Sequence, residues 1–253
     1  MKHSILITHR CRESYLEVCL WSLYRSAAAC GITDVEVIIA HVGHVPPVAE
    51  TVGCTILLDH DHPATFNKAR LHNLAIEAAS GDVLTFLDCD ALVNRHFCDG
   101  IAALTNPRII RLCYRVRLLP ATMLRTLLDT HNRNDLVDSV FAAYDTFTLG
   151  YEAYGTTLST VRSDGMHPIG NSQFSIRREV LCDMRFDEQY VGHGMEDLDM
   201  AEQIMRRYGA NYKAAIVTDA EHAMFHLQHT YTADWRTDEM EMANMRRFKE
   251  KWR

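Results

Sequence analysis

Two aspartates one residue apart, Asp88-Cys89-Asp90, interrupt the otherwise apolar stretch VLTFLDCDALV at 83–93. Carboxylates at the end of a buried strand are costly and repel each other, so a cation held between them would offset both penalties. The alternative is a simple turn. The D-x-D triplet alone decides nothing, because it recurs as Asp59-His60-Asp61 and Asp197-Leu198-Asp199. Only the copy at 88–90 joins a strong strand to a further apolar segment, which favours a metal or nucleotide role there.

Three more stretches carry reactive side chains. In GHGMEDLDM, 192–200, two glycines free the backbone just before Glu196 and Asp197 open a helix. Acidic residues in a first helical turn are stabilised by the helix dipole, which is explanation enough for a structural role. Yet the glycines let another molecule approach, and a carboxylate there can serve as a general base. FHLQH, 225–229, sets His226 and His229 three apart, a spacing compatible with one cation from a turn or a helix, although chance pairs are common among 14 histidines. LDHDHP, 58–63, alternates His and Asp, but alternation in an extended segment sends neighbours to opposite sides and Pro63 marks a loop. It reads as a polar loop over the site.

These residues need elements to hold them. SILIT at 4–8 predicts a strand, and Leu16, Cys19, Leu20, Leu23 and Ala27 then give one apolar helix face. VEVIIAH at 35–41 and CTILL at 54–58 repeat the strand signal, a helix is predicted over 67–80 and closed by Ser80-Gly81, and VLTFL follows. Strands alternating with helices predict an α/β fold with a mostly parallel, buried sheet joined by right-handed crossovers. Ligands of such sheets bind beyond the carboxyl ends of the strands, the edge where Asp88 and Asp90 fall. A helix near 121–130 precedes a polar and aromatic run with Tyr144, Tyr151, Tyr154 and Gly155, read as a substrate-side excursion. Order returns with the strand SQFSI, a helix from 177, another over 197–208 and a strand near KAAIV at 213–217.

Composition sets the outer limits. The chain has 253 residues, 47% of them hydrophobic, enough for one sizeable core. A net charge of -7 argues against stable nucleic-acid binding, which needs a basic surface. The eight cysteines form no C-x-x-C pair and read as reduced, buried residues of a cytoplasmic protein. MKHSILITHR is too short an apolar run for a signal peptide or a membrane span. Over 235–252, Trp235, Met242, Met245, Phe248 and Trp252 recur near helical spacing among Arg246, Arg247, Lys249, Lys251 and Arg253. A basic amphipathic helix touching a membrane surface or partner is one reading of 232–253. Asp238, Glu239, Glu241 and Glu250 interrupt the positive face and favour the other, a helix laid on the body.

Taken in order, ITHRCR, FNKARLHN (66–73), FLDCD, GNSQFSI, GHGMEDLD and FHLQH resemble the nucleotide-sugar-dependent glycosyltransferases of the GT-A fold. The resemblance is to the β-1,4-galactosyltransferase-like group, glycosyltransferase family 7 or family 2-like, and spans most of the chain outside 119–165. FNKARLHN is its most specific piece, since that group has a similar Phe-Asn-Arg-Ala-Lys-Leu-Leu-Asn. The resemblance implies a Rossmann-like single catalytic domain over 1–231, with a nucleotide-binding half (1–118), a variable excursion (119–165) and an acceptor and metal half (166–231), then a C-terminal helix (232–253). It implies Asp90 and His229 as metal ligands, His226 where the group can use a methionine, and Asp88 beside the ribose and metal. Thr8, Arg10, Arg12, Phe66 and Lys68 would face the nucleotide-sugar, Glu196 and His193 the acceptor, and Asp197 would be the catalytic base. The cofactor implied is Mn²⁺ or Mg²⁺, the partners a UDP-sugar and a glycan or other hydroxyl acceptor. His193 and Met195 replace a tryptophan and a glycine of the group's Trp-Gly-Gly-Glu-Asp, so the identity of the sugars is not carried over.

The activity implied is inverting transfer. A retaining transferase or nucleotidyltransferase on a similar fold is the alternative within enzymes, although ITHRCRESY lacks the glycine-rich loop that nucleotidyltransferases usually carry after the first strand. A non-catalytic binding module on the same scaffold would have lost its base or its metal ligands, and neither is missing.

Overall fold

A strand covered on both faces must be apolar or find partners for its polar groups, and β1 (His3–His9) is buried at every position. Its residues alternate between two cores. Ile5 and Ile7 pack with Leu16, Leu20 and Leu23 of helix α1 (Glu13–Ala29). Leu6 faces the other way, into a cluster with Leu71 and Ala75 of α2 (Lys68–Ala78). β2 (Val35–His41) and β4 (Val83–Asp88) split in the same manner, Val37, Ile39, Val83 and Leu87 to the first core, Ile38, Ala40, Leu84 and Phe86 to the second. The result is a sheet between helical layers. Each fully buried leucine contributes roughly 1.5–3 kcal/mol.

The computed structural model describes residues 1–43, 54–59, 66–106, 111–114, 116–119, 121–129, 133–142, 173–209, 214–217, 224–229 and 236–253. With β3 (Thr55–Leu58), β6 (Arg111–Tyr114), β8 (Phe174–Arg177) and β9 (Ala214–Val217), the main sheet has, among the described residues, seven strands in the order β3-β2-β1-β4-β8-β6-β9. β1 runs parallel to β2 and β4, β2 to β3, and β6 to β9, while β8 is antiparallel to both its neighbours. The mostly parallel α/β sheet expected from the sequence is present. Strand order reverses at β1, because the chain steps outward to β2 and β3 and then returns to place β4 on β1's other side. That makes the gap at the carboxyl ends of β1 and β4 the switch point where ligands of open α/β sheets bind. The register pairs Thr8 with Asp88 at that edge.

A second, three-stranded sheet follows from residues that sequence periodicity left unassigned. β5 (Ala91–Val93) directly succeeds the D-x-D turn, and β10 (Met224–His226) pairs antiparallel with it and parallel with β7 (Val116–Leu118). His226 therefore ends a strand, and His229 lies in irregular chain beyond it, rather than both riding one turn or helix. A third core joins Leu92, Phe225 and Leu227 to α4 (Ala121–Asp129) and α5 (Arg133–Ala142). The helix predicted near 121–130 is α4; α5 was not anticipated. The helix expected from 177 is a single turn, α6 (Arg178–Leu181), and that over 197–208 is α7 (Glu196–Tyr208). Expectations on 60–63, on Tyr144, Tyr151, Tyr154 and Gly155, and on Trp235 lie outside the described residues.

Gly81 shows how tightly α2 returns to the sheet: a Cβ there would stand 2.7 Å from the Ser4 backbone nitrogen and 2.9 Å from the Lys2 carbonyl oxygen. The last helix, α8 (Asp238–Lys251), lies on the body with Asn244 as its buried residue, leaving Met242 and Met245 exposed. Of the apolar positions that spacing picked out, Phe248 and Trp252 are partly buried, so the stripe faces inward only toward its end. Among the described cysteines Cys19, Cys89 and Cys98 are buried and none forms a disulfide, whereas Cys11 and Cys182 are exposed, contrary to the expectation of burial. Among the described residues no helix is long and apolar enough to cross a membrane.

Candidate active site

Two loops meet at the switch point. β1 ends in His9, and the chain turns sharply through Cys11, whose φ is 52°, to reach Arg12 at the start of α1. His9 holds that turn from beneath: its Nε2 accepts a hydrogen bond from the Arg12 backbone N–H at 3.2 Å, and its Nδ1 lies 2.9 Å from His41 Nδ1. Burial, with His41 alongside, lowers the His9 pKa to about 4, so the ring stays neutral at physiological pH.

Arg12 Nη1 donates to Asp90 Oδ2 at 2.7 Å, and Arg12 Nη2 lies 3.0 Å from His229 Nδ1. Asp90 is only 3% exposed. His229 Nε2 stands 2.9 Å from Asp90 Oδ2, and His226 Nδ1 is 3.2 Å from Asp90 Oδ1. That last contact is not aligned as a hydrogen bond, so Oδ1 accepts none from a described residue. Burial opposes the charge of Asp90, but His226 and His229 hold its carboxyl well below the usual carboxylate range. Burial likewise works against a proton on His226, and Asp90 overrides it, raising the imidazole's pKa. One ligand atom from each of Asp90, His226 and His229 lies within 4.8 Å of the others. A buried carboxylate with an unsatisfied oxygen and two imidazoles fits a divalent cation, and the mixed oxygen and nitrogen set suits Mn²⁺, with Mg²⁺ also accommodated by the carboxylate.

Asp88 faces a different partner. Lys68 Nζ lies 2.6 Å from Asp88 Oδ1, and Gln173 Nε2 donates to Oδ2 at 3.3 Å. Lys68 arrives there because Asn67 caps α2, its Oδ1 accepting from the Arg70 N–H at 3.0 Å while its Nδ2 donates to the Glu188 carbonyl at 2.7 Å. Gly192 N–H donates to the Phe66 carbonyl at 3.2 Å, fastening the 188–195 loop to the same corner. Phe66 itself packs into the second core, and Thr8 is buried in β1 beside Asp88. Arg10 lies in the loop after β1, partly buried.

The loop brings Glu196 and Asp197 into the field of Lys68. Gly192, Gly194 and Met195 all have positive φ, with Met195 at 76° as the residue preceding α7. Glu196 is buried, and its Oε2 has no hydrogen-bond partner among the described residues. Burial, reinforced by Asp197, pushes its pKa up to about 7, against the pull of Lys68. On Lys68 itself burial favours the neutral form, yet Asp88 and Glu196 more than offset it and raise the ammonium's pKa. Asp197 is partly buried, its Oδ1 accepting from the Leu198 N–H at 2.8 Å. His193 Nδ1 lies 3.0 Å from Glu241 of α8.

Two further D-x-D aspartates, Asp59 and Asp199, have structural partners, while Asp61 lies outside the described residues. Asp59 is buried against Arg70 at 3.0 Å. Asp199 is fully buried, accepting from Tyr190, Gln203, Lys251 and the Trp252 indole. Sequence reasoning missed Gln173, for which the only signal is its place next to the strand that pairs with β4. It also missed Tyr15, whose ring stands edge-on to His229 at 6.3 Å.

The model of the family described as "Glycosyltransferase like family 2" matches residues 34–226, well over half the chain. No curated protein matches the sequence. The fold is similar to that of Staphylococcus aureus TarS 1-349 in complex with UDP-GlcNAc, with a TM-score of 0.60 at 15% identity over 98% of this chain and 65% of that one. It is also similar to Mycobacterium tuberculosis glucosyl-3-phosphoglycerate synthase in complex with Mn²⁺, UDP-glucose and phosphoglyceric acid, with a TM-score of 0.57 at 16% identity over 98% of this chain and 77% of that one. In another TarS 1-349 structure the match covers 90% of this chain and 60% of that one, at 14% identity and a TM-score of 0.55. The chain thus spans about three fifths of that 1-349 chain and 37% of the longer TarS chain. At these identities the likeness is one of fold.

Proposed function

This chain belongs to the glycosyltransferase like family 2, and from that premise we propose that it transfers a hexose or N-acetylhexosamine from a UDP-sugar to an acceptor hydroxyl, with inversion and with the help of a divalent cation. The observation that carries the reading is the Asp90, His226 and His229 grouping, which adjoins the sheet's switch point together with the Lys68–Asp88 pair. Structures of similar fold were solved with UDP-GlcNAc and with Mn²⁺ and UDP-glucose, which supports this class of donor. The finer likeness to β-1,4-galactosyltransferases draws support from Met195: its left-handed backbone is the conformation glycine adopts most readily, and glycine is what that group has there.

In the proposed reaction Asp197 takes the proton of the acceptor hydroxyl while that oxygen bonds to the anomeric carbon and the bond from this carbon to the UDP oxygen breaks. One displacement converts an α-linked donor into a β-linked product. Lys68, with Arg10 and Arg12, offsets the negative charge that grows on the departing diphosphate. Thr8, Phe66 and Asp88 border the nucleotide, His193 the acceptor. Glu196, partly protonated near neutral pH, can either donate to or accept from an acceptor hydroxyl. A divalent cation, Mn²⁺ or Mg²⁺, held by Asp90, His226 and His229 would supply Lewis-acid neutralisation of the diphosphate.

A screen of UDP-sugars with Mn²⁺, reading UDP release, identifies the donor. Asp197→Asn is then expected to bind UDP as the unaltered chain does and to lose transfer by at least about 100-fold, the usual worth of a positioned base. Transfer at a near-normal rate would remove Asp197 from the role.

A further inference from the structure

A second grouping of ligand-type side chains lies elsewhere: Cys30, His96 and Asp99 each offer one ligand atom, all within 4.8 Å of one another. We propose that these three residues form a second cation site, taking a zinc-class ion with a solvent water as fourth ligand, separate in place and chemistry from the Asp90 grouping.

The donor set points to the class of ion. Thiolate, imidazole and carboxylate are the ligands of a borderline-soft metal such as Zn²⁺, whereas hard cations such as Mg²⁺ prefer oxygen alone. Spacing agrees. Ligands at about 2.0–2.3 Å from a tetrahedral zinc stand roughly 3.5 Å apart, and His96 Nδ1 is 3.3 Å from Asp99 Oδ2. Cys30 and His96 are partly buried and Asp99 is exposed, so water can reach the open position.

The backbone holds the three in place without any ion. Cys30 ends α1, and Gly31 follows with φ 64°; the Gly31 N–H donates to the Ala28 carbonyl at 3.2 Å and the Ile32 N–H to that of Ala27 at 2.9 Å. Those two bonds are a Schellman closure, which fixes where the Cys30 side chain departs. His96 precedes α3 (Phe97–Gly100), and Asp99 lies in its first turn. Two α1 serines fasten this stretch to the helix: Ser26 Oγ accepts from the Cys98 N–H of α3 at 3.0 Å and Ser22 Oγ from the Val93 N–H of β5 at 3.2 Å. Ligands projected from chain fastened in this way need little ordering on binding. Because α1 has 17 residues, Arg12 and Cys30 stand at opposite ends of a helix about 25 Å long, at 1.5 Å per residue. An ion at Cys30 is therefore remote from the Asp90 grouping. On binding, the thiol proton leaves to solvent as the metal–sulfur bond forms, and the ion would clip the far end of α1 to the chain that follows β5.

Cobalt(II) titration of the full chain tests this, because a sulfur-to-cobalt charge-transfer band in the near ultraviolet reports thiolate ligation and the Asp90 grouping has no thiol ligand. The unaltered chain, whose Asp90 grouping also takes up cobalt, is expected to develop the band by two equivalents and to lose it in excess Zn²⁺. Cys30→Ser should abolish it, while Cys11→Ser and Cys182→Ser, at the two exposed cysteines, leave it intact. His96→Ala, at a partly buried position whose side-chain partner is Asp99, should weaken cobalt binding at least about tenfold. A chain with no thiolate band, a band that survives Cys30→Ser, or an affinity indifferent to His96→Ala would each overturn the proposal.

Discussion

Glu196 concentrates the tension of the site in one side chain. It is buried beside Asp197 with one carboxyl oxygen unpartnered among the described residues, and its pKa is raised from 4.5 to about 7. Below about 4.5 both folded and unfolded chains carry the proton, and the residue contributes nothing to pH dependence. Between 4.5 and 7 the folded chain keeps a proton that the unfolded chain has released, so stability falls as pH rises, and above 7 the full penalty is present. Glu196→Gln should therefore stabilise the fold at pH 8 by roughly 3 kcal/mol, with the gain disappearing toward pH 4.5. Urea unfolding at pH 5 and pH 8 measures it; an equal offset at both values would contradict the assignment. At this scale much of the site was legible. Asp88 and Asp90 stood out because charge at a strand end demands a partner, and the glycines before Glu196 mark a backbone that other molecules can approach. Gln173 and Tyr15 left no such trace, since their roles come from strand pairing and from a loop that meets them only in three dimensions.

At the scale of elements, α8 determines where the 190–195 loop sits. Asn244 Nδ2 donates to the carbonyls of Val191 and His193, each at 3.1 Å, and Glu241 stands against His193. Lys251 and the Trp252 indole reach Asp199 on α7, two residues beyond the proposed base. Asn244→Ala leaves two loop carbonyls without their donor and should cost about 1–3 kcal/mol in denaturant unfolding. Because the loop leads directly to Asp197, kcat should fall more than the KM for the UDP-sugar changes. A loss of stability with kcat unaltered would reduce α8 to a structural role. The sequence pattern predicts α8 but not its orientation: hydrophobic spacing points to Met242 and Met245 as the inner face, whereas hydrogen bonding buries Asn244 instead. β5 and β10 are three residues each, too short for periodicity to register, and they become strands because β10 pairs with β5 on one side and β7 on the other.

Across the whole molecule, one topological feature does the positioning. The strand order reverses at β1, so the loops after β1 and β4 face one another at the sheet edge, and the second sheet carries His226 on β10, and His229 just beyond it, back to Asp90. Alternating strand and helix signals in the first ninety residues predict this parallel half. The antiparallel insertion of β8 and the pairing of β5 with β10 are long-range events that local pattern does not encode. The central claim is that this convergence builds a cation-dependent diphosphate site. Calorimetric titration of UDP into the chain, with and without Mn²⁺, tests it most directly. The ion is expected to tighten UDP binding at least about tenfold, equivalent to roughly 1.4 kcal/mol, in the unaltered chain and to have little effect in Asp90→Asn or His229→Ala. UDP affinity that ignores Mn²⁺ in the unaltered chain, or that responds equally in both variants, would contradict it.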